Sequence, residues 1–117
     1  MIISFANQKG GVAKTTSTVT LGHGLAKAGL KTLIVDLDPQ GHVAFALGLD
    51  KTPGLFRLVV EDERLDQVVV AARPGLDIVA GDKKSEAVKR YVTTLNFREK
   101  VLVNLLENAD YDVILLD

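Results

Sequence analysis

The chain has 117 residues, enough for one compact domain and too few for two, and its 47% hydrophobic and 25% charged residues belong to a chain that folds around a core. Fourteen Lys and Arg against fifteen Asp and Glu leave a net charge of -1, so the overall balance gives no argument for a nucleic-acid or membrane partner. Because the sequence has no cysteine, it excludes a disulfide framework, a thiolate nucleophile and sulfur ligation of zinc or an iron–sulfur cluster in this segment, and it suits a reducing cytoplasm.

Met1 to Asn7 is apolar but has neither a basic lead-in nor a small-residue cleavage site after it, so no export signal is expected. No stretch approaches the roughly 18 uninterrupted apolar residues of a membrane span. Ile2 to Ala6 predicts a strand ending in a turn at Gly10 and Gly11, and the apolar positions Val19, Leu21, Leu25 and Ala28 predict a helix over Lys14 to Ala28. Gly29 suits a helix C-terminal cap, and Lys31 to Leu37 follows as a β-rich run closing at Pro39 and Gly41. This strand, helix and strand form a βαβ unit. Both strands read as near-continuous apolar runs, so the expected fold is α/β, with a mostly parallel sheet covered by helices on both faces.

Pro53 and Gly54 open a short helix through Val60, Glu61 to Arg64 reads as a charged turn, and Val68 to Val70 fits either a strand or a helix. Leu76 to Ala80, between Pro74-Gly75 and Gly81, is bounded as a short strand should be. Ser85 to Tyr91 and Leu95 to Glu107 predict helices, and Tyr111 to Leu116 a final buried strand. No repeat or interdomain linker interrupts this order.

Gln8-Lys9-Gly10-Gly11-Val12-Ala13-Lys14-Thr15-Thr16 lies between the first strand and the first helix, where a phosphate-binding loop belongs. Its glycines let backbone N–H groups turn inward, and the helix N-terminus adds unpaired donors and partial positive charge. A triphosphate is the ligand such a loop predicts: Lys14 meets the β- and γ-phosphates, Thr15 offers its hydroxyl to Mg²⁺, and Thr16 bonds the α-phosphate. The bland alternative is a Gly-rich turn carrying a surface lysine.

The usual loop has Gly where this chain has Gln8 and Ala13, the latter a difficulty only if that position needs positive φ. Lys9 to Thr15 instead resembles the deviant Walker A pattern, KGGxxK[ST], of the ParA/MinD group of ATPases. The resemblance implies a P-loop NTPase fold with ATP and Mg²⁺ as ligands, and a nucleotide-sandwich homodimer in which Lys9 reaches the phosphates held by the other subunit. Asp36-Leu37-Asp38-Pro39-Gln40-Gly41 resembles the DLDPQG switch of ParA/Soj-type chromosome and plasmid partitioning ATPases. A carboxylate at the C-terminal end of a parallel strand sits on the ligand-binding edge of an open α/β sheet. An isolated Asp-Pro reads first as a turn, but the whole hexapeptide implies that Asp38 positions or activates the attacking water while Asp36 supports the Mg²⁺ shell. Tyr111 to Asp117 resembles a Walker B strand, whose final aspartate, Asp117, holds Mg²⁺ through water.

Members of this group are considerably longer, which implies that residues 1 to 117 are the N-terminal portion of a single ATPase domain. Half a sheet would leave an apolar edge open to self-association, and catalysis by the segment alone is not expected. In the longer protein the resemblance implies nonspecific DNA binding, a centromere-binding partner that stimulates hydrolysis, and a cytoplasmic, nucleoid-associated location without a membrane. A MinD-like division-site ATPase and a noncatalytic nucleotide-dependent interaction module are the alternatives; the DPQG run favours the partition branch. A nitrogenase-type reductase is disfavoured by the lack of cysteine. His42, at a position where the group often has Asn, reads as an exposed loop histidine, with contact to nucleotide or partner as the alternative. His23 falls within the first helix, and Phe45, Phe56 and Phe97 read as core or flank residues. Lys83, Lys84, Lys89 and Arg90 read as a solvated helix face, with DNA phosphates as the alternative.

Overall fold

Thr32, Leu33, Ile34 and Val35 form a strand in which all four residues are buried, as a strand covered on both faces requires. The structure, a computed structural model, describes residues 1–5, 11–93 and 101–117. It places this strand, β2 (Thr32–Val35), at the centre of a five-stranded sheet. The other strands are β1 (Ile2–Ser4), β3 (Val70–Arg73), β4 (Leu76–Val79) and β5 (Val113–Leu116), in the spatial order β1-β5-β2-β4-β3. Four of them run parallel; β3 is an antiparallel edge paired with β4.

Alternation along the strands divides the core into two layers. Ile34, Ile78 and Leu115 face a layer that contains Val19 and Leu25 of α1 (Gly11–Lys27) and Val43 and Ala44 of α2 (His42–Ala46). Leu33, Val35, Val79 and Ile114 face the opposite layer. There they meet Leu55 and Leu58 of α3 (Gly54–Val59), Val68 of α4 (Leu65–Val68), Val88 of α5 (Ser85–Thr93) and Leu106 of α6 (Val101–Leu106). The expected mostly parallel sheet with helices on both faces is therefore the observed one. Leu33 and Ile34 have no exposed surface, and truncating either to Ala would cost about 2–5 kcal/mol. Gly22 lets α1 lie close on the sheet, because a Cβ there would stand 2.9 Å from Ile34 Cδ1.

Several expectations need adjustment. The first crossover does not join neighbouring strands, since β5 lies between β1 and β2. The first helix begins at Gly11 rather than Lys14, so the end of the glycine-rich run already belongs to it. The segment Val68 to Val70 is both things at once: α4 ends at Val68 and β3 begins at Val70. Helix α2 has no counterpart in the sequence reading, because five residues are too few to display a helical period. Of the helix expected over Leu95 to Glu107, α6 covers Val101–Leu106; Ala6 and residues 94–100 lie outside the described residues.

Candidate functional site

The parallel pairings of β1 with β5 and of β5 with β2 bring three strand C-termini to one edge of the sheet. Phe5, Asp117 and Asp36 follow those strands there, and α1 starts from the same edge. Thr15 and Thr18, three residues apart on α1, share one helix face. Both are buried, and both donate to the same carboxylate: Thr15 Oγ1 to Asp117 Oδ2 at 2.9 Å, Thr18 Oγ1 to Asp117 Oδ1 at 2.6 Å. Asp117 is thereby fixed against the start of α1, while its main chain continues the ladder through Asp117 N–H to the Val35 carbonyl at 2.9 Å. The first turn of α1 holds no acidic residue and its last turn ends in Lys27, so the positive end of the helix dipole is left for an external anion.

Asp36 has no exposed surface. Its Oδ1 accepts the Asp38 N–H at 3.0 Å and its Oδ2 the Val43 N–H at 3.2 Å, so this carboxylate holds together the loop between β2 and α2. Burial pushes its carboxyl up to about 6; the two amide hydrogen bonds oppose this, and the charges of Asp117 and Asp38 add to it. Gly41 closes the loop at φ 66, donating its N–H to the Asp38 carbonyl at 3.1 Å. A Cβ on Gly41 would meet the Gly81 carbonyl at 2.6 Å, and one on Gly81 would meet the Asp38 carbonyl at 2.8 Å. The loop is thus clamped from the end of β4.

Asp38 Oδ1 accepts the Gln40 N–H at 2.9 Å, a local turn that leaves Oδ2 aside. Asp38, Lys14 and Asp117 together line a cleft of about 300 Å³, with Phe5, Leu37, Pro39 and Lys89 completing its walls. Thr15, Thr16, His42, Phe45 and Ala46 line an adjoining groove of about 360 Å³. Of the residues expected in the phosphate loop, Gly11, Val12, Ala13, Lys14, Thr15 and Thr16 all fall in α1, and Ala13 takes helical backbone, which removes the concern about positive φ. Lys9 and Gly10 lie outside the described residues.

The donor set suits a hard cation: a hydroxyl and a carboxylate 2.9 Å apart, with no sulfur or imidazole between them. Among the described residues, no group of three or more His, Cys, Asp or Glu could hold a metal ion by itself. Mg²⁺ commonly takes only one or two protein ligands, together with phosphate and water. Thr15 and Asp117 fit it on those terms.

Two residues of the site, Thr18 and Gly81, escape the sequence reading, and three more, Lys89, His42 and Phe45, gain a place there. Thr18 could have been found from its spacing to Thr15, since whatever one hydroxyl reaches, the other can share. Gly81 follows an apolar strand and reads only as a boundary. Lys89, exposed like the rest of the basic group, also stands in the cleft wall. His42 is not an exposed loop residue: it opens α2, and its Nδ1 is covered. Phe45, read as core or flank, is 76% exposed on the groove.

A sheet edge that joins a helix N-terminus, a lysine and aspartates from two strand ends, with a glycine-rich sequence just before that helix, defines a P-loop nucleotide-binding protein. A family model described as an AAA domain matches residues 1–117, and the chain belongs to that family. It is 34% identical over 124 residues to the chromosome partitioning protein ParA of Caulobacter vibrioides, covering 99% of this chain and 46% of that protein. The sporulation initiation inhibitor protein Soj of Bacillus subtilis is 34% identical over 122 residues, covering 99% of this chain and 48% of Soj. The crystal structure of cobyrinic acid a,c-diamide synthase from Mycobacterium smegmatis with bound ADP and magnesium superposes with a TM-score of 0.90 at 32% identity, over 99% of this chain and 49% of that one. The same enzyme is also known with a bound ATP analog and magnesium. The chain thus spans about half the length of the relatives it matches. Among the described residues, no helix is long and apolar enough to cross a membrane.

Proposed function

We propose that residues 1 to 117 are the N-terminal portion of a single ATPase domain of the partitioning type, which binds ATP with Mg²⁺ and hydrolyses it as a nucleotide-dependent switch. One observation carries the reading. Thr15 at the start of α1, Asp117 at the end of β5 and Asp36 and Asp38 after β2 meet at one sheet edge, with Lys14 in the wall of the same cleft.

The main chain of Lys9, Gly10, Gly11, Val12 and Ala13 wraps the phosphates, and Lys14 meets the β- and γ-phosphoryl oxygens as a point charge. Thr16 bonds the α-phosphate. Thr15 and Asp117 would hold Mg²⁺, and Asp36 would support its shell by fixing the loop. Magnesium, when bound with the nucleotide, neutralises phosphate charge. Asp38 orients the water that attacks the γ-phosphorus; the bond to the β–γ bridging oxygen breaks, and ADP and phosphate leave. Lys89 adds a second ammonium to the cleft wall. In the intact protein, ATP closes a homodimer in which Lys9 reaches the partner's phosphates. The dimer holds DNA nonspecifically at the nucleoid, and a centromere-binding partner stimulates hydrolysis.

The test is magnesium-dependent ATP binding by calorimetry and phosphate release by the intact protein. Asp38→Ala is expected to abolish turnover while binding survives. Wild-type binding without turnover would leave only a noncatalytic module, and no binding at all would remove the assignment.

A further inference from the structure

The Nδ1 atom of His42 is buried and, among the described residues, has no hydrogen-bond partner. A buried ring nitrogen without a partner carries a desolvation cost, and such a group calls for an explanation in the working of the site. The atom faces Asp38: Nδ1 stands 3.9 Å from Asp38 Oδ2, beyond a hydrogen bond by about 1 Å. The other carboxylate oxygen, Oδ1, is already held by the Gln40 N–H, so Oδ2 is the one left to aim.

The frame that carries both side chains is fixed. Gly41 sits between them in a left-handed conformation that few other residues adopt, its N–H bonds the Asp38 carbonyl, and a Cβ there would meet the Gly81 carbonyl at 2.6 Å. Closing the gap therefore falls to the side-chain torsions of Asp38 and His42. The two residues also face different spaces: Asp38 lines the cleft with Lys14 and Asp117, and His42 lines the groove with Thr15 and Thr16. A ligand that fills both can drive the ring toward the carboxylate.

We infer that His42 is a positioning residue for Asp38, donating Nδ1–H to Asp38 Oδ2 when nucleotide fills the site and so fixing the direction in which that carboxylate meets the attacking water. This rests on the ATPase reading above. His42 itself touches neither the water nor the phosphorus. Asparagine is the informative replacement, because its Nδ2 hangs from Cγ as Nδ1 does in histidine and can make the same donation.

The experiment has two arms in the intact protein. In the first, the ¹⁵N resonances of the His42 ring are followed on adding Mg²⁺ and a non-hydrolysable ATP analogue. Nδ1 is expected to take on the protonated, hydrogen-bonded signature in wild type and to fail to do so in Asp38→Ala. In the second arm, His42→Phe, which keeps the bulk of the ring without a donor, is expected to lower kcat at saturating ATP about tenfold or more, and His42→Asn to restore most of it. Wild-type kcat in His42→Phe, or an Nδ1 resonance indifferent to analogue and to Asp38, overturns the inference while the ATPase reading stands. A wild-type protein that neither binds nor hydrolyses ATP removes both.

Discussion

Thr15 and Asp117 stand 102 positions apart in the chain and 2.9 Å apart in space, hydroxyl to carboxylate, at the mouth of the parallel sheet. Thr18 closes on the other oxygen of the same carboxylate. The end of β5 is thereby latched to the first turns of α1.

Thr18→Val tests that latch. It keeps the shape of a fully buried side chain and removes the donor, so Asp117 keeps its charge and loses its shortest bond. A loss of about 1–3 kcal/mol in unfolding free energy is expected, with Thr18→Ser close to wild type. Urea denaturation of the two variants side by side measures it.

Gly81→Ala places a methyl group 2.8 Å from the Asp38 carbonyl and 3.0 Å from that of Asp36. Backbone atoms cannot swing away as a flexible side chain can. The loop must shift, at a cost of about 1–3 kcal/mol, and nucleotide affinity should fall with it. Unchanged affinity, measured by calorimetry in the intact protein, would show that the loop does not depend on this clamp.

The pH dependence follows from Asp36, whose carboxyl burial raises from an ordinary 3.8 to about 6. Between those values the native state holds more protons than the unfolded chain, so this group makes stability fall as pH rises through the window and stay level above it. The full swing is on the order of 3 kcal/mol. Asp36→Asn lacks this component. In metal-free buffer, wild type should therefore gain on the variant as pH drops from about 6 to about 4, and denaturation curves across that range report the sign directly.

At the opposite end of the sheet, the Tyr111 hydroxyl donates to Asp77 Oδ2 at 2.6 Å, and burial together with that carboxylate keeps the phenol protonated. Tyr111→Phe leaves Asp77 without this donor and should cost about 1–2 kcal/mol. Nucleotide binding should not change. An effect on affinity would mean that the two ends of the sheet are coupled.

Lys89→Ala removes an ammonium from the cleft wall. Since the residue is exposed, its effect should be modest, about two- to fivefold on ATP affinity and weaker in high salt. Titrations with ATP and ADP at two salt concentrations check this, and the loss should be larger for ATP.

Much of this was legible along the chain. Apolar runs and their punctuation gave β1, β2, β4 and β5, because a strand buried on both faces leaves a continuous signature in sequence. Glycines and hydroxyls next to a helix start marked the candidate phosphate loop, and two aspartates after apolar strands fall at one edge of the sheet. Helix α2 stayed hidden, being too short to show a period, and Val68 to Val70 read as strand or helix because β3 is a half-exposed edge strand without a continuous apolar run.

Taken alone, the sequence determined which residues are candidates and on which strand or helix end each one lies, since those are matters of local spacing and composition. Only the tertiary structure decided which of them meet. Strand β5 enters between β1 and β2, an insertion that no local pattern encodes, and it brings Asp117 to Thr15 and Thr18. The burial that raises the Asp36 carboxyl and the orphaned Nδ1 of His42 are likewise properties of packing. Hydrogen bonds and desolvation act over a few ångströms of space, and distance along the chain does not report them.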